Sequence, residues 1–170
     1  LYAGIMTDTG SFKYKTTSWR THLIASELLK TGLDVYTVHR FINESLRFST
    51  VKALGKIIET LSISQDGSIA WLSVRNRLIK NEPELAESTD SIIHFARAIE
   101  GVKLAMLFKE TKANNEVRVN FRSTRKADVN KIARFFGGGG HKMASGATIK
   151  GSLKEVIEKV IALSKKEVTG

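Results

Sequence analysis

The sequence predicts an α/β protein in three pieces: the closing end of a parallel-sheet domain, a helical connector, and a second α/β domain built on a mixed sheet. Three observations carry this. The apolar opening Leu1–Met6 ends on the polar run Thr7, Asp8, Thr9 and Gly10 and is followed by segments of helical period. Near Leu61 that period gives way to alternation, with Asp66 and Gly67 standing between two apolar runs. From Val102 onward, stretches of strand and helix period take turns to the end of the chain.

Residues Leu1–Met6 are expected to form a strand, and the polar turn Thr7–Gly10 then sits where open α/β sheets hold ligands. Thr16, Thr17 and Ser18 offer caps for a helix from Trp19 to Lys30, which Gly32 stops. Asp34 caps a second helix through Val35, Val38 and Ile42. A third, the connector, runs from Ser49 and repeats the pattern at Val51, Leu54, Ile58 and Leu61. This first part is expected to span residues 1–58 and the second domain 59–170.

The second domain should open with a hairpin, Leu61–Ser64 and Ile69–Val74, turned by Asp66 and Gly67. A polar segment holding the only proline, Pro83, precedes a helix from about Asp90 to Glu100 that buries Ile92, Ala96 and Ile99 and stops at Gly101. Val102–Glu110 alternates, with Val102, Leu104, Met106 and Phe108 on one face. In the strand Val117–Arg122 the residues Val117, Val119 and Phe121 point inward, and Arg118, Asn120 and Arg122 point the other way. A short helix Asp128–Phe136, a strand Ala144–Ile149 and a last helix capped by Ser152 complete the chain; that helix buries Leu153, Val156, Ile157 and Val160.

Composition narrows the function. Lys and Arg number 27 against 17 Asp and Glu, a formal charge of +10, so the surface attracts polyanions, with nucleic acid or nucleotide as the first expectation. Cysteine is absent, which removes disulfides and thiolate metal sites and suits a cytoplasmic protein. No apolar run approaches the roughly 20 residues that span a bilayer, so a membrane is not an expected partner. The chain opens on Leu1 rather than Met, in what reads as mid-core, and is expected to be a fragment.

The stretch with the strongest chemical signal is GGGGHKMASG, Gly137–Gly146. Consecutive glycines let backbone N–H groups turn outward and approach an anion closely. His141 follows at once, with an imidazole that titrates near neutrality. This is not a P-loop, because His141 precedes Lys142 and Met143 follows it. Nor is it a dinucleotide fingerprint, because it closes a helix instead of opening one. A plain helix stop is the competing reading, although one glycine would serve for that. Arg122, Arg125 and Lys126 precede the run in sequence. Trp19 and Trp71 are read as core residues.

Two motifs then match a family. GIMTDTGSF, Gly4–Phe12, resembles the fourth metal-site motif of the DHH phosphoesterases. FRS at Phe121–Ser123, followed by IARFFGGGGHKMASGA ending at Ala147, resembles their DHH-associated C-terminal domain. The resemblance covers essentially the whole chain, with the bacterial nano-RNases that also dephosphorylate 3′-phosphoadenosine 5′-phosphate as the nearest subgroup. It implies a manganese-dependent phosphodiesterase or phosphatase acting on short RNA or nucleotides. Asp8 matches a ligand to a pair of Mn²⁺ ions, Arg122 and Ser123 match residues that hold substrate phosphate, and Gly138, Gly139, Gly140 and His141 match the substrate-binding loop.

The match is partial. The Asp-His-His triplet that names the family is absent, and His22, His39 and His94 fall in predicted helices, where a structural role is expected. The other aspartates, Asp34, Asp66, Asp90 and Asp128, read as caps or turns. A two-metal centre needs several converging ligands, so the isolated chain is expected to be inactive. The rival function is a non-catalytic RNA-binding module like the C-terminal domain of alanyl-tRNA synthetases. A homodimer is left open.

Overall fold

The computed structural model describes residues 1–44, 46–81, 85–111, 115–124 and 127–169 of the chain, so Pro83, Arg125 and Lys126 lie outside the described residues. The chain packs as two units, Leu1–Arg47 and Phe48–Gly170.

Every secondary-structure element among the first unit's described residues is a helix. The unit contains α1 (Tyr2–Asp8), α2 (Trp19–Leu29) and α3 (Val35–Asn43) around a small core of Tyr2, Met6 and Ala25, packed by Phe12, Leu28, Leu33 and Val38. The expected opening strand is therefore a helix. Tyr2, Met6 and Thr9 are buried at helical spacing while Leu1, Ala3 and Gly4 are exposed, and a helix satisfies its own backbone in a unit whose described residues include no strand. The caps follow the sequence: Ser18 and Thr21 form a reciprocal capping box for α2, and the Asp34 carboxylate accepts from the Tyr36 N–H at 3.0 Å.

The second unit is a six-stranded sheet with helices on both faces. It opens with α4 (Phe48–Ile58) and the hairpin β1 (Ser62–Ile63) and β2 (Ile69–Val74). Next come α5 (Asn76–Asn81), α6 (Leu85–Ala98), β3 (Leu104–Glu110) and β4 (Glu116–Ser123). The unit closes with α7 (Val129–Phe135), β5 (Gly139–His141), β6 (Ala144–Lys150) and α8 (Leu153–Thr169). Strand order is β1-β2-β3-β4-β6-β5, with β2 and β3 parallel and every other pair antiparallel, so the sheet is mixed as expected.

The predicted hairpin forms with Gly67 at φ +70°, and the Asp66 carboxylate locks its turn by accepting from both Ser64 and Ser68 hydroxyls and from the Ser68 N–H. These bonds hold the Asp66 carboxyl at about 2.

One face of the sheet presents Leu104, Met106, Phe108, Val117, Val119 and Phe121 to α7 and α8; the other presents Ala70, Leu72, Ala105 and Leu107 to α4 and α6. β3 is thus covered on both sides, as a strand flanked by a parallel neighbour usually is. Phe121 is fully buried, and removing such a ring typically costs about 3–5 kcal/mol.

The connector helix departs from expectation twice. Its core side carries Thr50, Ala53 and Ile57, while Val51 and Ile58 are exposed, and it packs on β2 and α6 as part of the second unit instead of closing the first. Small residues in that stripe let the helix sit close to the sheet, and an apolarity count favours the larger residues on the other side.

Candidate functional site

Partners in antiparallel register share a face, so the ladder gives the layout of the site directly. Arg122 pairs with Ala144, and Ala144 pairs with His141; Asn120 pairs with Gly146, and Gly146 pairs with Gly139. Arg122 and Asn120 on β4, Ala144 and Gly146 on β6, and His141 and Gly139 on β5 therefore form two adjacent rows on one face. Helix α6 covers this face over β2 and β3 and reaches β4, whereas α7 packs β5 and β6 from the opposite face. The result is an open stretch of sheet beside α6: Ala144 and Gly146 form its floor, with Arg122 on β4 to one side and His141 on the edge strand β5 to the other. Two strand spacings put those sides about 10 Å apart.

The glycine run is not one loop. Gly137, at φ +74°, ends α7, with the Gly137 and Gly138 N–H groups donating to the carbonyls of Arg134 and Ala133 at 3.0 and 2.9 Å. Gly139 and Gly140 belong to β5, so the expected anion cradle is largely a helix stop followed by an edge strand. A Cβ at Gly138 would stand 2.2 Å from the Gly146 carbonyl oxygen. One at Gly140, already at φ +141°, would stand 2.6 Å from that of Ala144. Both glycines are required by the close approach of β6. Gly139 alone in β5 has nothing within 4 Å of where a Cβ would stand and is open to a ligand.

Three bonds hold this hairpin in place. The Val129 N–H donates to the Lys142 carbonyl at 3.0 Å, the Ser123 N–H to the Met143 carbonyl at 3.0 Å, and the Ser145 hydroxyl to the His141 carbonyl at 2.7 Å.

Arg122 is half-buried, and its Nη1 donates to the Phe121 carbonyl at 3.0 Å, which orients the guanidinium while leaving most of its five donors for a ligand. Ser123 departs from its expected role. It is 1% exposed on the opposite face, its hydroxyl donates to the Ala127 carbonyl at 2.7 Å, and it accepts from the Ala127 N–H, so it fastens the turn into α7.

His94, read as structural, lies on α6, the helix that reaches β4. His94 on α6 is half-buried, and its imidazole is held below the ordinary value, first by burial and then by the Arg97 and Arg122 guanidiniums. His94 and Arg97 are one helical turn apart on the same side of α6. That i, i+3 basic pair ahead of Gly101 was visible in the sequence; its position beside β4 was not.

Asp8 lies in the first unit as the exposed last residue of α1. After it, Gly10, Ser11 and Phe12 are all left-handed, at φ +56°, +57° and +64°. For Ser11 and Phe12 this costs roughly 1–2 kcal/mol each. Thr9 anchors the turn, its hydroxyl donating to the Ile5 carbonyl at 2.6 Å and accepting from the Phe12 N–H at 3.0 Å, so it supports backbone instead of Asp8. Among the described residues no group of three or more His, Cys, Asp or Glu side chains is placed to hold a metal ion. One carboxylate does not make a two-metal centre, and the residues present do not by themselves fit a Mn²⁺ pair. Nor is any helix among the described residues long and apolar enough to cross a membrane.

Comparison with known proteins adds three findings. The family described as the DHHA1 domain matches residues 84–169. The chain is 34% identical over 147 residues to a probable bifunctional oligoribonuclease and PAP phosphatase NrnA of Streptococcus mutans, and 30% identical over 149 residues to the bifunctional oligoribonuclease and PAP phosphatase NrnA of Bacillus subtilis. These alignments take in 86% and 88% of this chain and 46% of each relative, so the chain spans about half the length of the curated relatives it matches. Among solved structures, an exopolyphosphatase-related protein from Bacteroides fragilis superposes with a TM-score of 0.83 at 24% identity, over 98% of this chain and 49% of its own, a likeness of fold.

Proposed function

The chain belongs to the DHHA1 domain family, and on that footing we propose that residues 59–170 form the substrate-binding domain of a phosphoesterase that hydrolyses short oligoribonucleotides and 3′-phosphoadenosine 5′-phosphate. The observation that carries the proposal is the placement of Arg122 and His141 on one open face, across a floor of Ala144 and Gly146.

A guanidinium presents parallel N–H donors that match two phosphate oxygens. The small floor residues let a sugar-phosphate chain lie close to the sheet, where the exposed His141 and the Gly139 backbone meet its far side. The domain binds and orients, and hydrolysis belongs to the part of the enzyme that this chain does not span. The two Mn²⁺ ions are assigned there as well, with Asp8 as this chain's single contribution. A grip on one terminal phosphate at a set distance from the reacting bond favours very short strands, because longer ones need further room.

The test is calorimetric titration of the chain with a 5′-phosphorylated diribonucleotide and with a folded RNA hairpin. The proposal expects the dinucleotide to bind and Arg122→Ala to weaken it. Tighter binding of the hairpin, insensitive to Arg122→Ala, would instead favour a non-catalytic RNA-docking module.

A further inference from the structure

Four residues before Arg122, and so on the same side of β4, stands Arg118. It is exposed, and its ladder partners are Lys109 on β3 and Thr148 on β6, so neither cross-strand neighbour offers it a counter-charge. The ion pairs among the described residues join Lys30 to Glu27 and both His39 and Arg40 to Glu44, and leave Arg118 out. One row further on, Glu116 stands opposite Lys150, and those two opposite charges answer each other. Between the arginines runs the row of Asn120, Gly146 and Gly139, which keeps the sheet surface low: Asn120 is buried and the glycines carry no side chain. The open face thus holds two guanidiniums four strand residues apart, about 14 Å, with a low path between them. A guanidinium in this setting is weakly hydrated and presents a fork of donors that matches phosphate oxygens.

We propose that Arg118 is a distal backbone contact for an RNA strand whose end is held at Arg122, so that binding strengthens once the strand is long enough to reach both. A stacked strand advances about 3.4 Å per phosphate, so about four nucleotides bridge the gap, and a mononucleotide or dinucleotide falls short. The Thr148 hydroxyl beside Arg118 is a further donor to phosphate oxygen. The contact is blind to sequence, because backbone phosphates carry no base identity. This rests on the reading of the same face as the nucleotide-binding face and adds to it the residue that measures strand length. A grip on one end limits length from above; Arg118 rewards it from below.

The test compares 5′-phosphorylated oligoadenylates of two and four nucleotides by calorimetry on the full chain and on Arg118→Gln, Arg118→Lys and Lys154→Gln. The wild type is expected to bind the tetranucleotide about tenfold more tightly than the dinucleotide, the gain that one charge-assisted hydrogen bond supplies. Arg118→Gln is expected to lose most of that gain while dinucleotide affinity stays within about twofold, which also shows that the variant is folded. Arg118→Lys, which keeps the charge, is expected to retain part of the gain. Lys154→Gln removes the same charge from an exposed position on α8, across the sheet, and is expected to retain all of it. A wild-type chain that binds both lengths equally, an Arg118→Gln variant that keeps the gain, or a Lys154→Gln variant that loses as much overturns the distal contact and leaves nucleotide binding at Arg122 standing. A wild-type chain that binds neither length overturns both.

Discussion

Arg122 and His141 face each other across Ala144, two strands apart on the same side of the sheet, although 18 positions separate them in sequence. The pairing of β4, β6 and β5 brings them together, so each should contribute to one binding event. Arg122→Ala is expected to weaken dinucleotide binding about tenfold or more, since a hydrogen bond to a charged group is worth roughly 1.5–3 kcal/mol. His141→Ala should act in the same direction. Unchanged affinity for Arg122→Ala in calorimetry removes Arg122 from the site.

The floor between Arg122 and His141 can be filled without changing either residue. A Cβ at Gly146 would lie 3.4 Å from the Val119 carbonyl oxygen, on the face that α7 does not cover. Gly146→Leu is expected to abolish nucleotide binding while near-native circular dichroism is retained. Full binding by this variant would mean that the ligand lies elsewhere.

The glycines separate by stability. At Gly138 an added methyl meets backbone at 2.2 Å, and overpacking of this kind costs about 1–3 kcal/mol or more. At Gly139 it meets nothing, and the change should stay within about 0.5 kcal/mol. Urea unfolding of Gly138→Ala and Gly139→Ala reads the difference directly; equal midpoints would contradict the tight fit of Gly138 against β6.

His94 gives a pH dependence with a definite sign. Its folded value lies below the ordinary 6.5, so the unfolded chain takes up the proton more readily. The stability it contributes is complete above about pH 6.5 and is lost as pH falls through the lower folded value. His94→Gln should flatten the stability profile below pH 6.5, as measured by thermal midpoints from pH 7.5 to 5. An identical slope in both proteins counts against the charged surroundings of His94.

Purified alone with Mn²⁺, the chain is expected not to turn over a diribonucleotide at an enzyme-like rate, because Asp8 belongs to no group of three or more potential metal ligands among the described residues. Product formation followed by chromatography decides this, and robust turnover would place a complete centre within these residues.

Much of the second unit was legible because its signals are local. Asp66–Gly67 fixed a hairpin, Asp128 capped α7, and the alternation of Val117, Val119 and Phe121 assigned the two faces of β4 correctly. What was not legible depends on neighbours. Leu1–Met6 is apolar at nearly every position, so its period is ambiguous, and the burial of Tyr2 and Met6 at helical spacing shows it to be helix. Ser123, matched through the resemblance to a phosphate-holding residue, has its hydroxyl bonded to the backbone of Ala127, four residues on. Glycines at positions 137–140 read as one cradle, but a helix stop and two close backbone approaches account for three of them. His94 looked like any helix histidine until α6 was laid beside Arg122.

The tip between β5 and β6 is tied by main-chain bonds at Lys142 and Met143 to the start of α7 and the end of β4. A tetraglycine tract would ordinarily be the floppiest part of a protein, yet here it is clamped at the far end and pressed on β6 at Gly138 and Gly140. A ligand laid along this edge meets main chain that is already set in place. Association should therefore follow a single exponential in stopped flow, its rate rising linearly with nucleotide concentration.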